Sequence, residues 1–394
     1  MRTVGAVTTS RADYSSLLPV LRAIDADSEL QLQLFVGGMH LAPEFGLTVN
    51  EIEANGFNIT DRIGLPVASD TPQDIATSMG HGLIAVAQAL EKFRPEIVLI
   101  VGDRYELLSV VCAALPLRIP VAHISGGDVT EGAIDNQVRN AISKLSHIHF
   151  PDMKAHGDRL IQMGEEPSRV IVAGDPALDL MHQIEYMSRT ELSESLSLEL
   201  ESPIIMVSYH PTTLGADSVA KEVDALLSAL AEVGGTQVFT YPNADADNQT
   251  ISDRIRKFVD SRPNSRLFFS LGQARYYSML AIADLMVGNS SSGIFEAPSF
   301  LLPVVNVGDR QHGRIRERNV IDVKAELDEI RAGIQYGLDP SFRDSLVDLK
   351  NPYGDGEATP RILNMLKEVK LGPELLQKSF VDLKLPESGP VISG

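Results

Sequence analysis

The chain carries a single cysteine, Cys112, among 394 residues, and no tryptophan. One thiol can form neither an internal disulfide framework nor the thiolate set of a structural zinc site. Cys112 lies in the apolar run VVCAALPL, where core packing is the expected role rather than nucleophilic chemistry. Positive charge is also scarce: 34 Lys and Arg stand against 53 Asp and Glu, a formal net charge of −19. Tracking nucleic-acid phosphates or docking on an anionic membrane needs a basic face, so neither partner is expected. An anionic ligand would have to be met by a few local donors, such as one arginine or a helix N-terminus. No apolar stretch reaches about 18 residues, and the start MRTVGAVTTSR lacks a charged segment followed by a long apolar one. A cytoplasmic protein is the expectation.

What is present is globular in balance, with 44% hydrophobic and 22% charged residues, so disorder is not expected. At roughly 150 residues per domain the length suggests two or three domains. Short β-branched runs at 3–8, 32–36, 97–101, 121–124, 147–150 and 170–173 alternate with helical stretches such as 16–25 and 74–92. Such alternation signals βαβ units around a parallel sheet. Residues 188–201 read as a linker helix. The pattern then restarts, with runs at 204–208, 238–241, 267–269, 285–287, 304–307 and 320–323. The expected organisation is a first Rossmann-like domain over 1–185, a second over 186–370, and a terminal helix with a frayed tail over 371–394. Ligands of open α/β sheets sit beyond the carboxyl ends of the strands, so the polar residues just after each strand matter most.

The first strand is followed by TSRADYS. Ser10 or Asp13 can cap the next helix, which leaves Arg11 to meet a phosphate. After residues 97–101 comes GDRYE, where Asp103 suits acid/base work; taken alone, a helix cap is the simpler role. After residues 121–124 comes SGGDVTEGAID. Asp128, Glu131 and Asp135 are crowded into one glycine-rich loop with His123 just before it. Crowded, partly desolvated carboxylates raise one another's pKa and let one keep a proton. In the second half His210 follows a strand and is a candidate proton donor or acceptor. Asn243 also follows a strand and can bond a ligand, although a turn is its simpler role. GNSSSGIFE opens a helix after another strand. Its small residues let backbone N–H groups approach an anion, Ser290, Ser291 and Ser292 add donors, and Glu296 can accept from a ribose diol. In GDRQHGR, Arg310 would sit beside that serine loop, and residues 311–318 form either a mobile lid or a plain solvated loop. P-loop, GxGxxG and HExxH motifs are missing, which speaks against an NTPase, a standard dehydrogenase or a zincin.

The stretches TSRADYS, GDRYE, HISGGDVTEGAID, GNSSSGIFEAPSF and VNVGDRQHGR, in this order, resemble the hydrolysing UDP-N-acetylglucosamine 2-epimerases. The resemblance runs over residues 2–370. It implies an α/β fold of GT-B type, with two Rossmann-like doubly wound domains facing a central cleft. It also implies conversion of UDP-N-acetylglucosamine and water to UDP and N-acetylmannosamine, through a 2-acetamidoglucal, for sialic-acid-type sugars. No metal or cofactor is implied by it, and the family suggests a homodimer or homotetramer. By resemblance, Arg11, Ser290, Ser291, Glu296 and Arg310 would hold the diphosphate and uridine half. Asp103, Asp135 and His210 match catalytic or sugar-binding positions. Some members carry Glu where this chain has Ser125, while Asp128 occupies a position that is Glu in many bacterial relatives. The acid acting on C2 is therefore either Asp103 or Asp128. Relatives acting on UDP- or GDP-N,N′-diacetylbacillosamine, on the route to legionaminic acid, give the alternative substrate. A GT-B glycosyltransferase or a sugar-nucleotide binding protein is the alternative of another class.

Overall fold

The structure, a computed structural model, describes residues 1–65, 72–129, 134–210, 216–241 and 248–382. The chain divides into two compact units, Met1–Leu180 with Tyr353–Gly394, and Met181–Pro352. In the first unit six parallel strands, β1 (Arg2–Thr8), β2 (Leu30–Gly37), β3 (Ile59–Ile63), β4 (Ile97–Val101), β5 (Val121–Ile124) and β6 (Ile148–Phe150), lie in the order β3-β2-β1-β4-β5-β6. The second unit repeats that winding. Its strands β7 (Ile204–Ser208), β8 (Thr236–Thr240), β9 (Ser265–Phe268), β10 (Leu285–Gly288), β11 (Val304–Val307) and β12 (Val320–Val323) lie in the order β12-β11-β10-β7-β8-β9. Each unit is thus a Rossmann-like doubly wound sheet. The central strands are continuous apolar runs because helices cover both faces; all five residues of β4 and of β7 are buried. Strand order reverses between β1 and β4 and again between β7 and β10, where a doubly wound sheet opens its ligand crevice. No helix among the described residues is long and apolar enough to cross a membrane.

Three expectations need correction. Residues 170–173 form no strand; only an isolated bridge joins Val170 to His149 beyond β6. The edge strand β3, with the sequence ITDRI, had too little apolar patterning to be read. The second domain ends earlier than residue 370, because the chain from Tyr353 onward returns to the first unit. The helix Ala358–Glu368 places Ile362 and Leu366 in one core with Leu17, Leu21 and Ile24 of the helix Arg11–Ala26. Asp179 accepts from the Ala358 N–H at 3.0 Å, and Arg361 donates to the Ala173 carbonyl at 2.9 Å. An amphipathic helix goes where its apolar face fits, and chain order does not encode that choice.

The segment after residue 370 carries the expected short helix, Pro373–Leu376, and is anchored through residue 382; the tail expected to fray lies outside the described residues. Arg169 donates to the carbonyls of Glu374, Leu375 and Gln377 at 3.0, 2.6 and 2.8 Å. Lys378 reaches the fully buried Glu165 at 2.6 Å, which also meets Lys144 at 2.6 Å and His149 at 2.9 Å. Burial alone would raise the Glu165 carboxyl, but His149, Lys144 and Lys378 outweigh it and hold its pKa at about 2. A carboxyl depressed on folding stabilises above its ordinary value of 4.5, and that contribution drains away as pH falls toward about 2. Replacing Glu165 with Gln should cost about 3 kcal/mol at pH 7, because it strips a buried partner from three basic groups. Urea unfolding at stepped pH should show the gap to the parent closing between pH 4.5 and about 2. A gap that stays constant with pH would contradict this account.

Candidate active site

At the end of β1 the capping role is realised in full. Ser10 caps the helix Arg11–Ala26, and Asp13 completes a capping box. The Asp13 carboxylate is buried and accepts from Thr9 N at 2.9 Å, Thr9 Oγ1 at 2.8 Å and Ser10 N at 3.1 Å. Burial opposes its charge, yet hydrogen bonds involving His40, Thr8 and Thr9 keep its pKa below the ordinary range. Arg11 opens the helix and is exposed, and among the described residues no hydrogen bond or ion pair holds its guanidinium.

The end of β4 is not a cap. The cap residue of the helix Tyr105–Ala114 is Arg104, with no side-chain bond. Asp103 instead takes a hydrogen bond from Arg139, which lies on the helix Asp135–Leu145. Arg139 Nη1 also lies 3.4 Å from Asp128 Oδ2. One buried guanidinium therefore gathers two of the candidate acids, Asp103 from the loop after β4 and Asp128 from the loop after β5. Asp135 stands one turn before Arg139 on that helix. Burial, then the Asp103 charge, raises its carboxyl above the ordinary range, in the direction expected of crowded acids. His123 is fully buried in β5, and burial lowers its pKa to about 3. Its Nε2 lies 2.8 Å from the Gly102 carbonyl, which can only accept, so the proton sits on Nε2. It is a neutral strut between the ends of β4 and β5. Glu131 lies outside the described residues.

In the second unit the ends of β7 and β10 are fastened together. Fully buried Asn289 accepts from His210 N at 2.7 Å and donates to the His210 carbonyl at 2.9 Å. Gly288 sits at φ +139°, where a Cβ would come within 2.0 Å of the Ser208 carbonyl. His210 is buried, with Nε2 3.2 Å from Ser208 Oγ, which in turn lies 3.0 Å from Thr240 Oγ1. Burial first, then the charge of Arg310, lowers the His210 pKa to about 4. Arg310 donates to the Asn289 carbonyl at 3.1 Å, which puts it beside the serine loop as expected. Gln311 is buried and reaches the same carbonyl at 2.8 Å, while Arg314 donates to Gln311 at 2.7 Å. Residues 311–316 are thus a bonded turn, neither lid nor plain solvated loop.

Ser291 precedes a helix of a single turn, Ser292–Phe295, and Glu296 closes that turn rather than lying inside a longer helix. Ser290 and Ser291 remain partly accessible, whereas Ser292 is buried under the Tyr276 hydroxyl. Burial raises the Glu296 carboxyl, against the hydrogen bond from Ser292 and the charge of Arg314. A cavity of about 510 Å³ opens beside Gly308, Asp309 and His312. A larger one, about 630 Å³ at the β9 edge, is lined by Tyr241, Arg256 and Arg266 and by none of the motif residues that sequence reading selected. Asn243 lies outside the described residues. Sequence reading missed Arg139, His156 and Asp152. The one available signal was the spacing of Arg139, four residues after Asp135 on a predicted helical face.

Residues 22–367 match the family described as UDP-N-acetylglucosamine 2-epimerase. The chain belongs to that family. It is 37% identical to the GDP/UDP-N,N′-diacetylbacillosamine 2-epimerase (hydrolyzing) of Campylobacter jejuni, over 97% of this chain and 99% of the relative. It is 36% identical to the UDP-N,N′-diacetylbacillosamine 2-epimerase (hydrolyzing) of Legionella pneumophila, over 94% and 97%. Among solved structures it resembles UDP-GlcNAc 2-epimerase from Neisseria meningitidis bound to UDP-GlcNAc, with TM-score 0.77 and 18% identity over 93% of this chain and 99% of that one. That likeness shows the fold, which is of GT-B type. The chain is accordingly an enzyme of the sugar-nucleotide 2-epimerase kind.

Replacing Asn289 with Ala should cost about 2 kcal/mol, because the buried His210 N–H loses its partner. Isothermal titration should also show weaker UDP binding, since the side-chain clamp fixes the Asn289 backbone carbonyl to which Arg310 and Gln311 donate. Unchanged stability and UDP affinity would remove Asn289 from its role as clamp.

Proposed function

We propose that the chain hydrolyses a UDP-linked 2-acetamido sugar with inversion at C2, and that the sugar is N,N′-diacetylbacillosamine. The observation that carries the reaction is the acid cluster around Arg139: two carboxylates on one guanidinium, beside a third whose proton is held more tightly. The sugar is favoured by the 37% and 36% identity to enzymes named for it. UDP-N-acetylglucosamine is the second reading, favoured by the description of the matching family.

The C2 proton of a sugar is not acidic, because no carbonyl adjoins it. Departure of UDP must run ahead and build positive charge at C1. Arg11, Arg310 and the donors of Ser290 and Ser291 are assigned to the diphosphate, where they stabilise charge as it develops. Glu296 is assigned to the ribose diol, with Ser292 orienting it. Asn243 is assigned to the nucleotide side. Asp103 or Asp128 then takes the C2 proton, and the C–H electron pair forms the C1=C2 double bond of a 2-acetamidoglucal. Hydration comes next: Asp135 protonates C2 from the other face, the C1=C2 pair forms that C–H bond, and the water that adds at C1 gives up a proton that returns to Asp135. A raised pKa suits Asp135 to hold that proton, and splitting the environments of neighbouring acids is how one site runs both steps. His210 is neutral above about pH 4, so it serves as a hydrogen-bonding group and not as an imidazolium donor. Glu131 is assigned to the sugar side.

Incubation with each nucleotide sugar alone, monitored by NMR, tests the reading. Free UDP and a C2-inverted sugar should appear, with solvent deuterium at C2. kcat/KM should be about tenfold or more higher for the diacetylbacillosamine nucleotide, since a site built for an acetamido group leaves donors unpaired with a hydroxyl. The reverse preference would favour the second reading. Replacing Asp103 with Asn should lower turnover by about a hundred- to ten-thousand-fold with UDP affinity nearly intact. Unchanged turnover would remove Asp103 from the chemistry. Replacing Asp135 with Asn should block hydration, so that UDP and the glucal accumulate without free sugar.

A further inference from the structure

His156 is nearly fully buried on the helix Lys154–Gln162, and neither the capping of that helix nor the apolar core uses its ring nitrogens. Its Nε2 lies 3.3 Å from Asp128 Oδ1, and its Nδ1 lies 3.8 Å from Asp152 Oδ2. Nδ1 is buried without a hydrogen-bond partner among the described residues. On its far side Asp152 accepts from Ser125 Oγ at 2.8 Å. Asp128 and Asp152 are themselves buried, whereas Ser125 is partly accessible. The backbone is shaped to make this contact. Gly127 sits at φ +81°, where a Cβ would meet the His156 carbonyl at 2.3 Å, and Arg159 donates to the Gly127 carbonyl. Only glycine lets the loop after β5 drop Asp128 onto that helix. The other groups facing the imidazole are the Tyr353 ring, at 6.1 Å, and Arg139, reached through Asp128.

Hydrolysis of a nucleoside-diphosphate sugar creates a surplus proton. The second ionisation of a terminal phosphate lies at about pH 6, so above that pH each turnover sheds one proton. In the elimination step that proton leaves C2 for a buried carboxylate, from which it has to escape before the next cycle.

We propose that His156 is the positioning residue of Asp128 and the first station of a proton exit, running from Asp128 through His156 and Asp152 to Ser125. The inference rests on the reading of Asp128 as a C2 base. The C2–H bond breaks, its electron pair becomes the C1=C2 bond, and the C1–O pair departs with UDP. Asp128 takes the proton and passes it from Oδ1 to His156 Nε2, which restores the carboxylate. The imidazolium, facing Asp152, gives up its Nδ1 proton to that carboxylate; protonated Asp152 then donates to Ser125 Oγ as Ser125 releases its own proton to water.

Two measurements separate this proposal from the reading beneath it. In the free protein, the NMR chemical shifts of the His156 ring nitrogens should move when Asp128 is replaced by Asn and again when Asp152 is replaced by Asn. Ring-nitrogen shifts unmoved by both would overturn the bridge whatever the enzyme acts on. With the nucleotide sugar, His156→Gln should keep KM within about twofold and lower kcat about tenfold, with a changed pH profile of kcat. Ser125→Ala, at the accessible end, should give a smaller fall in the same direction. Wild-type kcat and pH profile in both variants would overturn the exit. If the parent protein turns over no UDP-linked acetamido sugar, the functional reading fails, and the ring-nitrogen shifts still decide the bridge.

Discussion

The first unit depends on the burial of one guanidinium. Arg139 reaches Asp103 and Asp128, which arrive from different strands, and it ties the ends of β4 and β5 to the helix that begins with Asp135. A buried arginine is tolerated only when carboxylates answer it, and buried carboxylates only when a cation or several donors answer them. Each makes the other possible. Asp135 stands in the same crowd, where burial, then the Asp103 charge, raises its carboxyl above the ordinary range.

The second unit solves the same problem without buried charge pairs. Its strand ends are held by amides and hydroxyls: Asn289 across β7 and β10, Ser208 and Thr240 beside His210, Gln311 on the Asn289 carbonyl. Burial keeps His210 neutral down to about pH 4, and the charge of Arg310 reinforces it. Arg310 and Arg314 are held here by the Asn289 carbonyl and the Gln311 amide. The contrast fits the division of labour proposed above, in which acid/base work belongs to one sheet and anion holding to the other.

Away from the candidate site, the cluster of Glu165, His149, Lys144 and Lys378 shows how the first unit gathers remote sequence. Lys378 lies more than two hundred residues beyond Glu165, yet it closes the same ion cluster (residues 144 and 149 supply the rest). The cluster sits at the start of β6, away from the carboxyl ends where the candidate acids lie. Stability and chemistry thus use charged residues at opposite ends of one sheet.

Much of this was legible in residue order alone. Apolar runs marked eleven of the strands, because a parallel sheet buried on both faces demands continuous β-branched segments. The polar residues after those strands named Asp103, Asp128, Asp135, His210, Ser290 and Arg310. Strand ends are the only places where an α/β sheet lets polar side chains converge. Order could not show β3, whose edge position needs no apolar run, nor the return of residues 353–382 to the first unit. Nor could it separate Asp103 as a cap from Asp103 as the partner of Arg139, because that choice was made by a helix some thirty residues further on. Protonation was decided in the same way. His210 looks like a candidate proton donor or acceptor in sequence, and burial lowers its pKa to about 4. Asp135 looks like its neighbours, and burial together with the Asp103 charge raises its carboxyl above the ordinary range. Residue type is set locally; desolvation and charge–charge distance exist only once the chain is folded.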